Sequence, residues 1–301
     1  MNLADNLQIM KMMPDESVDV ICIDPPYLYL KNQKLERPFD EPKFFAECRR
    51  LLTKKGFIVM FGRGESFYRW NTLLADLGFI FKEEIVWNKS HNTSPLLNIS
   101  RIHETVTIFT KGRGTINKVK VPYLEMKGHN LDLIITDVKR LKTTFKNTKT
   151  LNNILFFLEN NNKQDFKKGS QMANKSNLRN GKCNEQCKCV SCFNAIVNGL
   201  NEKSIIKQVR DHYSAIHPTQ KPVRLLERLL NLVLPKDKQE IVIADFFAGS
   251  MSTMEAVLNL QEQNPDIVFK GIATEIDEEY FNNGKERIEN ILKVEPNLFT
   301  T

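Results

Sequence analysis

The chain has 301 residues, of which 41% are hydrophobic and 26% charged, with a formal net charge of +7. That composition fits a folded globular chain and excludes a fibrous or wholly disordered one. No stretch approaches the ~20 apolar residues that a bilayer span requires, so no membrane role is expected. The charge is uneven: residues 111–210 hold 20 Lys and Arg against 7 Asp and Glu, which leaves a net −6 on the remainder. A basic block beside an acidic body suggests contact with a polyanion, or else a solubilising surface rich in Lys and Asn. The first residues, MNLADNLQIMKMM, lack the basic start and apolar core of a signal peptide, so a cytoplasmic address and reduced cysteines are expected.

In chain order, residues 18–23 form an apolar run ending at Asp24-Pro25-Pro26. That is the pattern of a buried parallel strand, stopped by residues that cannot continue a ladder. Phe44, Phe45, Cys48, Leu51 and Leu52 recur at helical spacing, and Gly56 is expected to end that helix. Residues 57–61 read as the next buried strand, 66–77 as a helix, and 79–87 with 105–110 as a strand pair. After Gly112 the pattern gives way to a polar stretch rich in Lys and Asn. The rhythm resumes with a helix over 223–234, a strand over 240–244 and the turn Asp245-Phe246-Phe247-Ala248-Gly249-Ser250. A helix over 252–261, a strand over 268–274 and a helix over 278–291 complete it. Alternation of this kind predicts an α/β fold, a Rossmann-like and mostly parallel sheet wrapped on both faces. One α/β domain, residues 1–112 and 206–301, is interrupted by an insertion, residues 113–205.

Three segments carry chemistry. Asp24-Pro25-Pro26-Tyr27 stands at a strand end, where open α/β sheets bind ligands. Its two prolines make a stiff turn, and Pro25, having no N–H, leaves its carbonyl to accept a hydrogen bond from outside. A carboxylate, a fixed carbonyl and an aromatic face suit an NH₂ group on a flat ring. Two acceptors on its hydrogens localise the nitrogen lone pair for attack, without a strong general base. Asp245 to Ser250 is a small-residue turn before a helix, where a ligand can approach the backbone. Glu275 ends the next strand, a place where an acid typically accepts ribose hydroxyls. His217-Pro218-Thr219-Gln220-Lys221-Pro222 precedes a helix, its polar residues fixed between prolines.

Together these segments resemble the amino-methyltransferases of DNA, which act on adenine N6 or cytosine N4. Asp24, Pro25, Pro26 and Tyr27 match that family's catalytic tetrapeptide, and the resemblance implies that Tyr27 stacks on a base flipped out of the duplex. The turn at Asp245 is similar to the family's D-x-F-x-G-x-G-T segment, which holds the methionine part of S-adenosylmethionine, although Met251 stands where a second glycine is usual. The HPTQKP segment lies against the cofactor pocket in that family. The cofactor-binding residues so implied are Asp5, Asp24, His217, Lys221, Asp245, Phe247, Gly249, Ser250 and Glu275. Trp87-Asn88-Lys89 and His103-Glu104 resemble the family's central strands more weakly.

Their order, tetrapeptide first and cofactor turn last, resembles the permuted beta group, whose insertion recognises the target sequence. The resemblance implies a site-specific methyl transfer from S-adenosylmethionine to adenine N6 in double-stranded DNA, in a bacterial or phage setting. Adenine is expected over cytosine N4 because members whose tetrapeptide begins with Asp more often act on adenine. A homodimer and a companion restriction endonuclease are partners that this group admits. The loop over 28–42, with Lys31, Lys34 and Arg37, is expected to close over the flipped nucleotide.

Cys183, Cys187, Cys189 and Cys192 crowd four thiols into ten residues. They admit one structural Zn²⁺, free thiols or redox pairing, and no metal is expected at the active site. Cys22 and Cys48 fall on apolar faces and read as core. Two other readings stay open: methylation of RNA, and a DNA-binding protein whose catalytic half has decayed, with Met251 as its only sequence support.

Overall fold

Each apolar run expected to be a strand is a strand in the computed structural model. The structure describes residues 1–28, 36–90, 98–130, 132–134, 136–137, 141, 194–210, 216–217 and 219–294. The chain divides into two compact units, Met1–Asn117 with Lys203–Thr301, and Lys118–Glu202.

The first unit begins with β1 (Asn2–Leu3), α1 (Asn6–Met12), β2 (Val18–Ile23), α2 (Glu41–Leu51), β3 (Leu52–Gly62), α3 (Gly64–Asp76), β4 (Ile80–Asn88) and β5 (His103–Thr110). The second unit holds β6 (Lys120–Val121), α4 (Tyr123–Met126) and β7 (Leu200–Asn201). The first then resumes with β8 (Ile205–Lys207), α5 (Val223–Val233), β9 (Glu240–Asp245), α6 (Ser252–Gln263), β10 (Val268–Glu275) and α7 (Glu278–Val294). Its eight strands lie in the order β1-β10-β9-β2-β3-β5-β4-β8. All neighbours run parallel except β5, which is antiparallel to β3 and to β4. The sheet is therefore mostly parallel, and it is assembled from both halves of the chain.

β2 is buried at all six positions, which requires cover on both faces. One face packs on a cluster built from Phe44, Phe45, Cys48 and Leu51 of α2, with Trp70 and Leu74 of α3. Each such side chain removed from water contributes roughly 1.5–3 kcal/mol. Leu225, Leu226, Leu229 and Leu230 of α5 form further buried core, and α5 packs against β2 and β3.

Gly56 does not end α2. The helix stops at Leu51, and Leu52 turns to an extended φ of −67° and ψ of 137° while its N–H still bonds to the Cys48 carbonyl. β3 thus starts with no loop, and Gly56 lies within it where the pairing shifts from Val18–Leu52 to Val20–Phe57. A Cβ at Gly56 would come 3.0 Å from the Thr53 carbonyl oxygen and 3.1 Å from that of Asp19. The glycine answers a bulge rather than a cap.

In the second unit, Tyr123, Leu141, Ile196 and Val197 share a small core. The Tyr123 hydroxyl donates to Asp137 at 2.6 Å, and Lys127 pairs with the same carboxylate at 2.7 Å. Cys183, Cys187, Cys189 and Cys192 lie outside the described residues, as do Lys31 and Lys34. Among the described residues, no helix is long and apolar enough to cross a membrane.

Candidate active site

The site follows from the strand order. β2 and β9 lie side by side, pairing Val20 with Ile243 and Ile21 with Ala244. From β2 the sheet grows outward to β3, and from β9 it grows the opposite way to β10. Such a reversal opens a crevice beyond the carboxyl ends of the two strands. The turns that fill it are Asp24 to Tyr27 after β2 and Phe246 to Met251 after β9. A cavity of about 700 Å³ lies there, entirely within the first unit. Asp5, Asp24, Pro25, Pro26, Tyr27, His217, Lys221, Asp245, Phe247, Gly249, Ser250 and Glu275 all line it.

At the β2 pole, both oxygens of Asp24 are engaged. Oδ1 accepts from the Tyr27 hydroxyl at 2.6 Å, and Oδ2 accepts from Lys221 Nζ. Ser66 donates to the Tyr27 carbonyl at 2.7 Å and so fixes the turn to α3. Lys221 Nζ also lies 3.2 Å from Glu104 Oε2, while Lys89 Nζ holds Glu104 Oε1 at 3.1 Å. The result is a row of alternating charges, Asp24, Lys221, Glu104 and Lys89. Burial pushes the Asp24 carboxyl above its ordinary value, against the pull of Lys221. Burial works against the Lys221 ammonium too, yet its two carboxylate neighbours hold its pKa above the ordinary value. Glu104 is also pushed up by burial, but Lys221 and Lys89 outweigh it and bring the group down to about 2.

At the β9 pole, Asp245 accepts from Thr253 Oγ1 at 2.6 Å and from the Phe247 N–H at 3.0 Å. Burial raises its pKa to about 7. Gly249 takes φ +47° and donates its N–H to Glu275 Oε2 at 2.8 Å. The other Glu275 oxygen accepts from the Asp277 N–H at 2.9 Å. His217 packs over Gly249, where an added Cβ would meet its Nε2 at 3.3 Å, and its ring meets Tyr280 at 4.3 Å. Burial, then the charge of Lys221, lowers His217 to about 4, so the ring is neutral at pH 7. The Thr219 N–H donates to its Nδ1 at 3.3 Å, which assigns the ring proton to Nε2 and makes that atom a donor. Asp5 caps α1 by accepting from the Leu7 N–H at 3.0 Å.

Met251 adopts the left-handed φ of +59° that the usual glycine would take freely, and it is fully buried. Its side chain is absent from the cavity lining and lies against α7, where a Cβ on Gly284 would come 2.5 Å from Met251 Cγ. The departure from the family pattern is therefore absorbed behind the turn.

Sequence reasoning named Glu104 only as a weak echo of the family's central strands, not as a site residue, and did not select Phe39 or Tyr280. Glu104 pairs with Trp87 across β4 and β5, a register that the strand pair carried in principle. Phe39 meets Phe247 and Phe44 at 5.1 and 5.4 Å and extends the apolar wall, while Arg63, Arg101 and Arg210 add positive charge to the lining. Arg37 pairs with Asp277 at 3.2 Å, and both line the cavity. The residues fit the cofactor that the resemblance implies. A turn open to close approach, a neutral donor at His217 and a strand-end carboxylate with lone pairs to spare stand beside an aromatic wall.

A family model described as DNA methylase, of the N6/N4 type, matches residues 18–286. Type II methyltransferase M.HinfI of Haemophilus influenzae is 29% identical over 154 residues, which span 42% of this chain and only 42% of that protein. Type II methyltransferase M.HpaI of Haemophilus parainfluenzae is 24% identical over 299 residues, 95% of this chain and 73% of that protein. Among solved structures, the M1.HpyAVI-SAM complex superposes with a TM-score of 0.53 at 18% identity, covering 95% of this chain and 98% of that one. TTHA0409 of Thermus thermophilus gives 0.51 at 15% identity, covering 96% and 93%. At those identities the likeness speaks to the fold.

Proposed function

Because the chain belongs to the DNA methylase family whose model it matches over residues 18–286, we propose that it methylates adenine N6 in double-stranded DNA, with S-adenosylmethionine as donor. The observation that carries this is one cavity joining the proline turn at Asp24 to the glycine turn at Gly249. An acceptor for an amine and a cradle for a cofactor open into the same space.

The bound cofactor supplies an electrophilic methyl on a sulfonium. The protein's part is to hold and orient. Asp24 accepts one hydrogen of the target amine and the Pro25 carbonyl the other, which localises the nitrogen lone pair. Tyr27, whose hydroxyl Asp24 already holds, offers its ring to the base, and Phe39 with Phe247 keeps water from the apolar wall. On the cofactor side, Gly249, Ser250 and Phe247 would hold the methionine part, His217 Nε2 would donate a hydrogen bond, and Glu275 would accept from the ribose hydroxyls. A base must leave the duplex to reach Asp24, so flipping belongs to the same reading.

Adenine is preferred because the tetrapeptide begins with Asp24. Residues 113–205 are the target-reading insertion, and most of the chain's excess positive charge falls in that part, suited to phosphate contact. A companion endonuclease goes with this reading. Met251 gives no support to a decayed scaffold, because its side chain lies outside the cavity. The test is methylation of unmodified plasmid DNA by the purified protein, digestion to nucleosides and mass spectrometry. N6-methyladenine is expected; N4-methylcytosine alone would move the target to cytosine, and methylation of RNA in preference to DNA would move the substrate.

A further inference from the structure

The acceptor at the heart of the site is already occupied. Asp24 Oδ1 holds the Tyr27 hydroxyl at 2.6 Å, and Oδ2 holds the Lys221 ammonium. An incoming amine competes with that ammonium for the same carboxylate. As methylation proceeds, the amine nitrogen also gains positive charge, which a neighbouring ammonium opposes. Lys221 must therefore yield, and its surroundings limit where it can go. Only 8% of its side chain is exposed. The rings of Phe61, Tyr27 and Trp87 stand 5.0, 6.0 and 6.0 Å from its Nζ. Water has little access to replace a lost carboxylate, and a buried ammonium without an anion is costly.

Glu104 meets the need. Its Oε2 is 3.2 Å from Lys221 Nζ, so transfer of the ammonium requires a small rotation rather than a passage through solvent. Lys89 holds the other oxygen at 3.1 Å and, with only 4% of its side chain exposed, anchors Glu104 from behind. We propose, on the reading that an exocyclic amine is the methyl acceptor, that Glu104 is a positioning residue. It draws Lys221 off Asp24 as the amine enters, so that the carboxylate passes to the base while the ammonium keeps a partner. In the free protein the same lysine spares Asp24 from standing as an unpaired buried charge.

The experiment is a double-mutant cycle on the full chain, with single-turnover methyl transfer to unmodified plasmid DNA and cofactor binding by calorimetry. Glu104→Gln is expected to slow transfer by roughly 100-fold, the scale of a misplaced reacting group. Its cofactor Kd should stay within about twofold of wild type, and Glu104→Asp should recover part of the rate. In a Lys221→Gln background, where no ammonium needs moving, adding Glu104→Gln should change the rate by less than about twofold. An equal loss in both backgrounds, or a wild-type rate for Glu104→Gln, would overturn the proposal. Should Glu104→Gln fail to bind cofactor, Glu104→Asp in both Lys221 backgrounds decides by the same criterion. Wild-type protein that leaves no methylated amine on DNA would instead sink the reading beneath it, so the two failures are separable.

Discussion

The two strand ends that meet at the centre of the sheet each present an aspartate, and the protein treats them in opposite ways. Asp24 follows β2 in a turn stiffened by two prolines, and a buried ammonium holds it. Asp245 ends β9 before a turn of small residues, where a hydroxyl and a backbone amide hold it. Burial raises both, but at Asp24 the cation pulls back, whereas Asp245 rises to about 7. The contrast teaches that position at a strand end does not decide a carboxylate's role. Its partners do: a cation offsets part of the effect of burial at Asp24, whereas the neutral donors at Asp245 leave burial to dominate.

The largest test of that division is Asp24→Ala. It should cut methyl transfer to DNA by at least about 1,000-fold, since it removes an acceptor used in the transition state. Cofactor binding by calorimetry should persist, because the Gly249 pole is untouched. Full-speed transfer by this variant would end the assignment of Asp24.

A smaller effect should appear at Asp245, in stability. Its folded pKa of about 7 lies above the ordinary carboxylate value, so the unfolded chain releases the proton first. The stabilisation it gives is present at low pH and is lost as pH rises from about 4 to about 7. Asp245→Asn keeps an acceptor for the Phe247 N–H and offers a donor to Thr253 Oγ1, which accepts as readily as it donates. At pH 8 this variant should be more stable than wild type, by up to about 4 kcal/mol at 1.36 kcal/mol per pKa unit. Thermal melts should converge near pH 4. A constant difference across that range would show that Asp245 is ionised throughout.

Local chemistry was legible in the sequence, and distant partnership was not. Asp24 to Tyr27 and Asp245 to Ser250 could be read because each turn's special residues are contiguous and flanked by apolar strands. The antiparallel β5 was visible only as one member of a strand pair. The meeting of Lys221 with Glu104 depends on β5 inserting between β3 and β4, an order that no local pattern encodes. Gly56 misled for a related reason. A glycine after a helical run usually marks a cap, and here the chain entered β3 at Leu52 and needed the glycine for a bulge against Asp19. Met251 looked like damage to a glycine motif because its compensation sits on α7, 33 residues away at Gly284.

That compensation supplies the smallest and most local test of the cofactor turn. Met251 holds a left-handed φ of +59°, and its side chain fills the space that Gly284 leaves open. Gly284→Ala would place a Cβ 2.5 Å from Met251 Cγ and 3.1 Å from the Gly249 carbonyl oxygen. It should destabilise the protein by about 1–3 kcal/mol, the range for overpacking, and weaken cofactor binding through the shifted turn. Met251→Gly removes the obstructing side chain and relieves the backbone but gives up a fully buried side chain, so alone it should destabilise the protein by about 1–3 kcal/mol. In that background Gly284→Ala should cost less than about half its original effect, because the two residues share one space. Denaturant melts of the four proteins measure the coupling. Equal costs in both backgrounds would mean that Gly284 makes room for something other than Met251.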